Sequence, residues 1–180
     1  MNFLKEFVCR FRGEYTTERL IKMGMKVGKN FKRLNGTILD PGHCWLIEIG
    51  DNVTVAPRVH ILCHDASTKT FLGYTKIGRV SIGNNVFIGA ESVVLPDVRI
   101  GNNVVIGANS TVTNDIPDNS VAVGSPARVI RSLNEYIEKE KKRMEIAPCY
   151  GEEYTLRKNV SMEKRQKQKE ELQGKIGYII

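Results

Sequence analysis

Between residues 82 and 117 every sixth position is Ile or Val, at Ile82, Ile88, Val94, Ile100, Ile106 and Val112. The fifth place of each unit is small or β-branched, at Val86, Ser92, Val98, Val104, Ser110 and Ile116. An earlier tract keeps the same spacing: IGDNVT, VAPRVH and ILCHDA begin at Ile49, Val55 and Ile61. A helix repeats its apolar face every 3.6 residues or so and a half-buried strand every second residue, so a period of six belongs to neither. It predicts a short strand and a tight turn, repeated. Gly50, Gly83, Gly89, Gly101 and Gly107 follow the leading aliphatic residue, and Asp51-Asn52, Asn84-Asn85 and Asn102-Asn103 come next. Gly and Asn accept the backbone angles that sharp corners need. Three units make a triangular coil of about 18 residues, whose leading side chains stack inward, coil upon coil. Six consecutive units in phase argue against an ordinary β-sandwich.

The rhythm breaks once. From Ile61 the next leading place would be residue 67, but the chain there reads HDASTKTFLGYTKIGRVS. Its polar residues and Gly73 predict a loop that leaves the column and returns near Ile82. A loop rooted in a rigid solenoid can hold reacting groups on a firm support, and His64 stands at its base. An imidazole, with a pKa of about 6.5, is suited to taking the proton of a hydroxyl near neutral pH. Asp65 seldom could point back at its neighbour's ring, so it is expected to cap the loop or to touch an acceptor. His60 alternates with inward-facing Val59 and Ile61 and is expected to face outward.

The flanks carry other patterns. Residues 14–24 predict a short helix capped by Gly24, 27–31 a degenerate first turn, and 35–48 an irregular coil with loops. Residues 131–145 predict a helix with Leu133, Ile137 and Met144 on its apolar side; Pro148 interrupts it, and 161–173 predict a second charged helix ending at Gly174. The last residues, KIGYII, read as an edge strand or a subunit contact. The expected organisation is a cap over 1–26, a column over 27–130 with its loop at 64–81, and a charged tail over 131–180.

Composition narrows the classes. With 41% hydrophobic residues in 180, the chain can bury a sizeable core. It has no run of about 18 apolar residues, so no membrane span is expected. Lys5, Glu6, Arg10 and Arg12 break up the N-terminal apolar residues, unlike a secretory signal, and a cytoplasmic location is expected. Cys9, Cys44, Cys63 and Cys149 are scattered, which suits reduced thiols rather than a disulfide framework or a zinc cluster. The net charge is +7, but EKEKKR and MEKRQKQKEE mix both signs as solvated helix faces do. No aromatic-rich basic platform accompanies them, which argues against nucleic acid.

The tracts IGDNVTVAPRVHILCHD and IGNNVVIGANSTVTNDIPDNSVAVGSPARVIR resemble the hexapeptide-repeat O-acetyltransferases, among them the maltose and galactoside enzymes and those of capsule and lipopolysaccharide. The likeness runs from about residue 27 to 131. It implies an all-β solenoid, the left-handed parallel β-helix, assembled as a homotrimer with active sites between subunits. It also implies acetyl-CoA as co-substrate, a carbohydrate or glycolipid acceptor, and His64 as general base. Ala90 and Ala108 match places where backbone meets the pantetheine arm. Thr113 and Asn114 match a coenzyme-contacting pair whose second member is Lys in the sugar enzymes, and Phe87 lies near the same groove. Arg128 and Arg131 match two arginines at the nucleotide end, where guanidinium forks suit phosphate oxygens. Asn35, Asp40, His43 and Asp65 match the acceptor side, with His43 roughly one coil before His60. The residues HD stand where the sugar enzymes have HP, which leaves the acceptor open. No metal is expected. The competing classes are a zinc carbonic anhydrase on the same prism, which would draw on His43, His60 and His64, and a non-catalytic trimeric scaffold.

Overall fold

The structure is a computed structural model that describes residues 15–180. The first fourteen residues of the expected cap, with Cys9, lie outside the described residues. Helix α1, Thr17–Lys22, starts where the Thr16 hydroxyl accepts a hydrogen bond from Arg19 N at 3.2 Å. Its Leu20 is buried in one apolar cluster with Met25, Cys44 and Ile47. The expected glycine stop follows: Gly24 has φ +110°, in the left-handed region where a side chain is strained.

The hexapeptide units fold as expected into a three-sided prism. Its first sheet holds Lys26–Val27, Ile47–Ile49, Val80–Ile82 and Val98–Ile100. The second holds Lys32–Arg33, Thr54–Val55, Val86–Ile88, Val104–Ile106 and Ser120–Val123, closed by Arg128–Ser132. The third holds Ile38–Leu39, His60–Ile61, Val93–Val94 and Thr111–Val112. The chain visits the three in turn, and strands stack in parallel, Val86 beside Val104 and Val93 beside Thr111. Each leading residue from Ile49 to Val112 is at most 5% exposed, and Val53, Val59, Val86, Val98 and Val104 line the same interior.

Coil length varies, and the variation marks the site. Corner residues Asn84 and Asn102 are bonded across a separation of 18. Lower in the prism the separation is 22, as between Asn30 and Asn52. Between Asn52 and Asn85 it is 33, because the coil includes the loop after Ile61. Both lengthened coils put their extra residues at the corner leading from the third sheet to the first.

The corner between the first and second sheets carries a ladder of amides. Asn30, Asn52, Asn85, Asn103 and Asn119 all take φ of 55–56°. Each side chain donates to the next: Asn30 to Asn52 at 2.9 Å, Asn52 to Asn85 at 3.1 Å, Asn85 to Asn103 at 2.9 Å and Asn103 to Asn119 at 3.0 Å. Asn tolerates the left-handed backbone, and the ladder satisfies its amide. The corner between the second and third sheets mixes Asn109, at φ 54°, with less suited residues, Arg58 and Glu91 at φ 59° and 62°, joined by an ion pair. Glycine is required where coils approach: a Cβ on Gly89 would sit 2.4 Å from Ala108 N.

Two expectations for the tail need correction. Residues 131 and 132 are not helical; they end the strand Arg128–Ser132, which pairs antiparallel with Ser120–Val123 and covers Val121. Helix α2 (Leu133–Met144) begins only after it, and its Ile137 and Met144 stay about 40% exposed rather than packing away. Residues 134–180 form a second compact unit. Ser161 caps its helix Met162–Glu171, and Tyr178–Ile179 pairs in parallel with Cys149–Tyr150, the edge-strand role read for KIGYII. Tyr178 donates to Glu140 at 2.8 Å and Tyr150 to Glu171 at 3.0 Å, which ties the unit's strands to its helices. No helix among the described residues is long and apolar enough to cross a membrane.

Candidate active site

The corner from the third sheet to the first gathers the reactive side chains. Asp40 follows strand Ile38–Leu39, and His64 follows strand His60–Ile61 in the coil above. Strand register places Leu39 beside Ile61, so the two corner segments run together. Here the 22-residue coil corrects an expectation. Ile38, not His43, lies beneath His60, and His43 belongs to the corner insertion.

Asp40 is buried to the last atom of its side chain and is satisfied from three directions. Its Oδ1 accepts from Gly42 N at 3.1 Å; its Oδ2 accepts from Cys63 N at 2.8 Å and lies 2.5 Å from His64 Nδ1. A carboxylate can survive burial when its oxygens are bonded in this way. Because Nδ1–H donates to Asp40, the proton of neutral His64 sits on Nδ1 and the lone pair is left on Nε2. The His64 side chain is 42% exposed, so that nitrogen has access to a reactant. Asp40 was expected to contact the acceptor; its contact is with the imidazole. The sequence hid this because the partner stands 24 residues away, across a coil longer than 18.

His43 packs beside the pair. Its ring centroid is 5.2 Å from that of His64 and 5.5 Å from that of Trp45. His43 Nδ1 is buried without a hydrogen-bond partner among the described residues, 4.0 Å from Asp40 Oδ1. Trp45 was not singled out from the sequence; its signal was a lone tryptophan in a coil otherwise short of aromatics. Asp40, His43 and His64 could each lend one atom to a metal ion, all within 4.8 Å of one another. His60 is not in that group. It stands half-buried in the outward column between Ile38 and Val93, as alternation predicted.

The loop is a two-stranded ribbon rather than a free excursion. His64–Asp65 pairs antiparallel with Lys76–Ile77, and Gly78 N bonds Cys63 O at 3.0 Å where the chain rejoins the prism. Asp65 caps the turn at its start, accepting from Ser67 N at 2.8 Å, and pairs with Lys76 at 2.7 Å. The bond from Lys76, with help from Ser67, lowers its pKa to about 2. Those contacts turn Asp65 to the ribbon. Burial, with Asp40 adding to it, pushes the Cys63 thiol up to about 12, and burial raises Cys44 too; both are inert neutral thiols beneath the site.

The remaining candidates separate by corner. Thr113 and Asn114 lie on the His64 corner, higher in the prism, and Thr113 donates to Asn114 at 2.8 Å. Ala90 and Ala108 stack at the next corner, where Asn109 N bonds Ala90 O at 2.8 Å. Phe87 faces outward on the second sheet and is 44% exposed. Arg128 and Arg131 extend that same sheet; Arg128 reaches Ala127 O at 3.1 Å, while Arg131 Nε is buried without a partner among the described residues. Asn35 lies away from the His64 of its own chain, at the corner that holds Ala90 and Ala108, where its carbonyl accepts from Arg58 N at 3.1 Å.

Comparison with known proteins gives this arrangement a context. Residues 79–114 match the family described as bacterial transferase hexapeptide (six repeats). The chain is 39% identical over 137 residues to protein CapG of Staphylococcus aureus, covering 73% of this chain and 80% of that one. It is 44% identical over 116 residues to galactoside O-acetyltransferase of Escherichia coli strain K12, covering 61% of this chain but only 54% of the enzyme. Among solved structures it resembles a hexapeptide-repeat acetyltransferase of Vibrio cholerae O1 biovar eltor complexed with acetyl coenzyme A, with 29% identity, TM-score 0.54 and 61% of each chain covered. That likeness gives the prism its left-handed sense.

Proposed function

Since the chain belongs to the acetyl-CoA-dependent hexapeptide-repeat acetyltransferases, we propose that it moves the acetyl group to a hydroxyl of a sugar or polysaccharide precursor, with His64 as general base. The observation that carries the reading is the 2.5 Å contact between Asp40 and His64 Nδ1, which leaves Nε2 free at a partly open surface. The acceptor O–H gives its proton to Nε2 while its oxygen attacks the thioester carbonyl carbon. The tetrahedral intermediate then collapses, the C–S bond breaks, and the CoA thiolate takes the proton back from the imidazolium. Asp40 stabilises the imidazolium while it lasts and fixes the tautomer before it forms. No acetyl-enzyme is formed on this route.

The coenzyme residues fit a groove shared by two copies of the chain. Ala90 and Ala108 belong to one edge of the prism and His64 to another. In a trimer, adjacent prisms would set one edge of each against a single acetyl-CoA. Small side chains at Ala90 and Ala108 let the pantetheine arm come close, Thr113 and Asn114 line the His64 side, and the guanidinium forks of Arg128 and Arg131 suit phosphate. The galactoside O-acetyltransferase relative supports a saccharide acceptor.

The zinc reading drew on His43, His60 and His64, whereas the structure groups His43 and His64 with Asp40 and leaves His60 out. Ligands about 2.0–2.1 Å from one tetrahedral ion lie about 3.3 Å apart, whereas Asp40 and His64 approach to 2.5 Å, a hydrogen-bond length. The geometry therefore favours the proton-transfer pair. The experiment is a thiol-release assay with acetyl-CoA and a panel of sugars, oligosaccharides and glycolipids, run on chelator-dialysed protein. Acetylated saccharide from the metal-free protein is the expected product. Transfer that disappears on dialysis and returns with zinc would replace this reading with the metal one.

A further inference from the structure

Trp45 is the one tryptophan of the chain, and it stands beside His43, one ring removed from the proposed base. Its neighbours hold its backbone firmly. Cys44 and Ile47 on either side are fully buried, and Leu46 N bonds His43 O at 2.9 Å. Its Cβ packs so closely on Gly24 that a Cβ there would lie 3.0 Å away. Yet the residue is 53% exposed. A large rigid ring fixed at its root and open on its face is suited to binding by stacking. Three rings run in a row, Trp45, His43 and His64, with neighbouring centroids 5.5 and 5.2 Å apart and planes tilted by 51° and 42°. The row ends at the nitrogen that takes the acceptor's proton. Within it, His43 turns its Nδ1 to the buried side, 4.0 Å from Asp40 Oδ1, so its ring serves the row by packing between the other two.

We propose that Trp45 is the stacking platform of the acceptor subsite, and that the acceptor is a saccharide whose pyranose lays its C–H face on the indole while one hydroxyl reaches His64 Nε2. The inference rests on the acetyl-transfer reading for the reaction and adds the part of the acceptor that is recognised. A pyranose has an apolar C–H face edged by hydroxyls, which matches an exposed indole in a row that ends at a partly exposed imidazole. A small amino acid such as serine has no such face and gains nothing from the ring.

The lone indole reports on its own site. With CoA present, the emission of the full-length protein is titrated with methyl hexopyranosides and, as comparator, L-serine, in wild type and in His64→Ala. A saturable shift with at least one glycoside and none with serine is expected. In the transfer assay, Trp45→Ala raises the acceptor KM about tenfold or more while the KM for acetyl-CoA holds, and Trp45→Phe recovers most of the loss. The platform is overturned if no glycoside moves the emission, if Trp45→Ala leaves the acceptor KM unchanged, or if the emission follows protein concentration alone, as when a second copy covers the indole. The two readings fail separately. Glycoside binding at Trp45 with full turnover in His64→Ala sinks the base and keeps the platform; sugar transfer indifferent to Trp45→Ala does the reverse.

Discussion

Replacing Asp40 by Asn tests the pair that sets the protonation of His64, and the structure bounds the effect. The carboxylate accepts three bonds, from Gly42 N, Cys63 N and His64 Nδ1. An amide can accept on one side only. If its oxygen stays toward Cys63 and His64, the NH2 meets Gly42 N–H and neither group finds an acceptor there, at about 1–3 kcal/mol of stability for a donor kept from water. His64 then keeps its tautomer but exchanges a charged bond for a neutral one, a loss of about 1–2 kcal/mol that slows transfer roughly 5- to 30-fold. If the amide turns the other way, its NH2 donates to Nδ1, the ring proton moves to Nε2, and the base is lost, a fall of up to about 10⁴-fold. Gly42 is exposed and Cys63 fully buried, so the first orientation strands its donors nearer to water, and the expected fall lies near the lower bound. The assay is thiol release at saturating acetyl-CoA, with thermal unfolding and coenzyme affinity measured on the same sample. Turnover within about twofold of wild type, in a folded variant that binds coenzyme normally, would refute the role given to Asp40.

Other consequences are simpler to read. Asn85→Ala removes both the left-handed tolerance and two rungs of the ladder, so it should lower stability by about 1–3 kcal/mol, whereas Asn85→Gly restores the backbone share; equal losses in thermal melts would deny the backbone its part. Mild alkaline iodoacetamide should label Cys149 and spare Cys44 and Cys63 by mass spectrometry. Cys63 holds its proton more tightly folded than unfolded, with its pKa raised from 9.0 to about 12, so stability from that neutral thiol is whole below pH 9.0 and lost as pH rises toward 12. Native labelling of Cys63 would contradict this. Arg128→Ala should raise the KM for acetyl-CoA about tenfold with kcat little changed, as lost uniform binding does, and an unmoved KM would take Arg128 out of the coenzyme groove.

Much of the prism was legible because its signal is periodic and redundant: Ile82 through Val112 repeat one choice, and every copy meets the same environment in the coil above. His64 stood out as the residue where that redundancy ends. What escaped depended on coil length. The extra residues of the lower coil carry no hexapeptide mark, so the register that brings Asp40 under Cys63 and His64 could not be counted from a ruler of 18. Residues 131 and 132 looked helical because they continue into the charged pattern of α2, while the partner that decides for strand, Ser120–Val123, is a tertiary contact. Trp45 was silent since an aromatic in an irregular coil reads as core, and only its exposure says otherwise.

The most direct measurement is a single-turnover acetyl transfer by His64→Ala, with acetyl-CoA binding followed in parallel on the same protein. If the imidazole takes the acceptor proton, coenzyme affinity and fold persist while the transfer rate drops by at least about 10²-fold. Transfer at the wild-type rate by the variant would show that the proton leaves by another path.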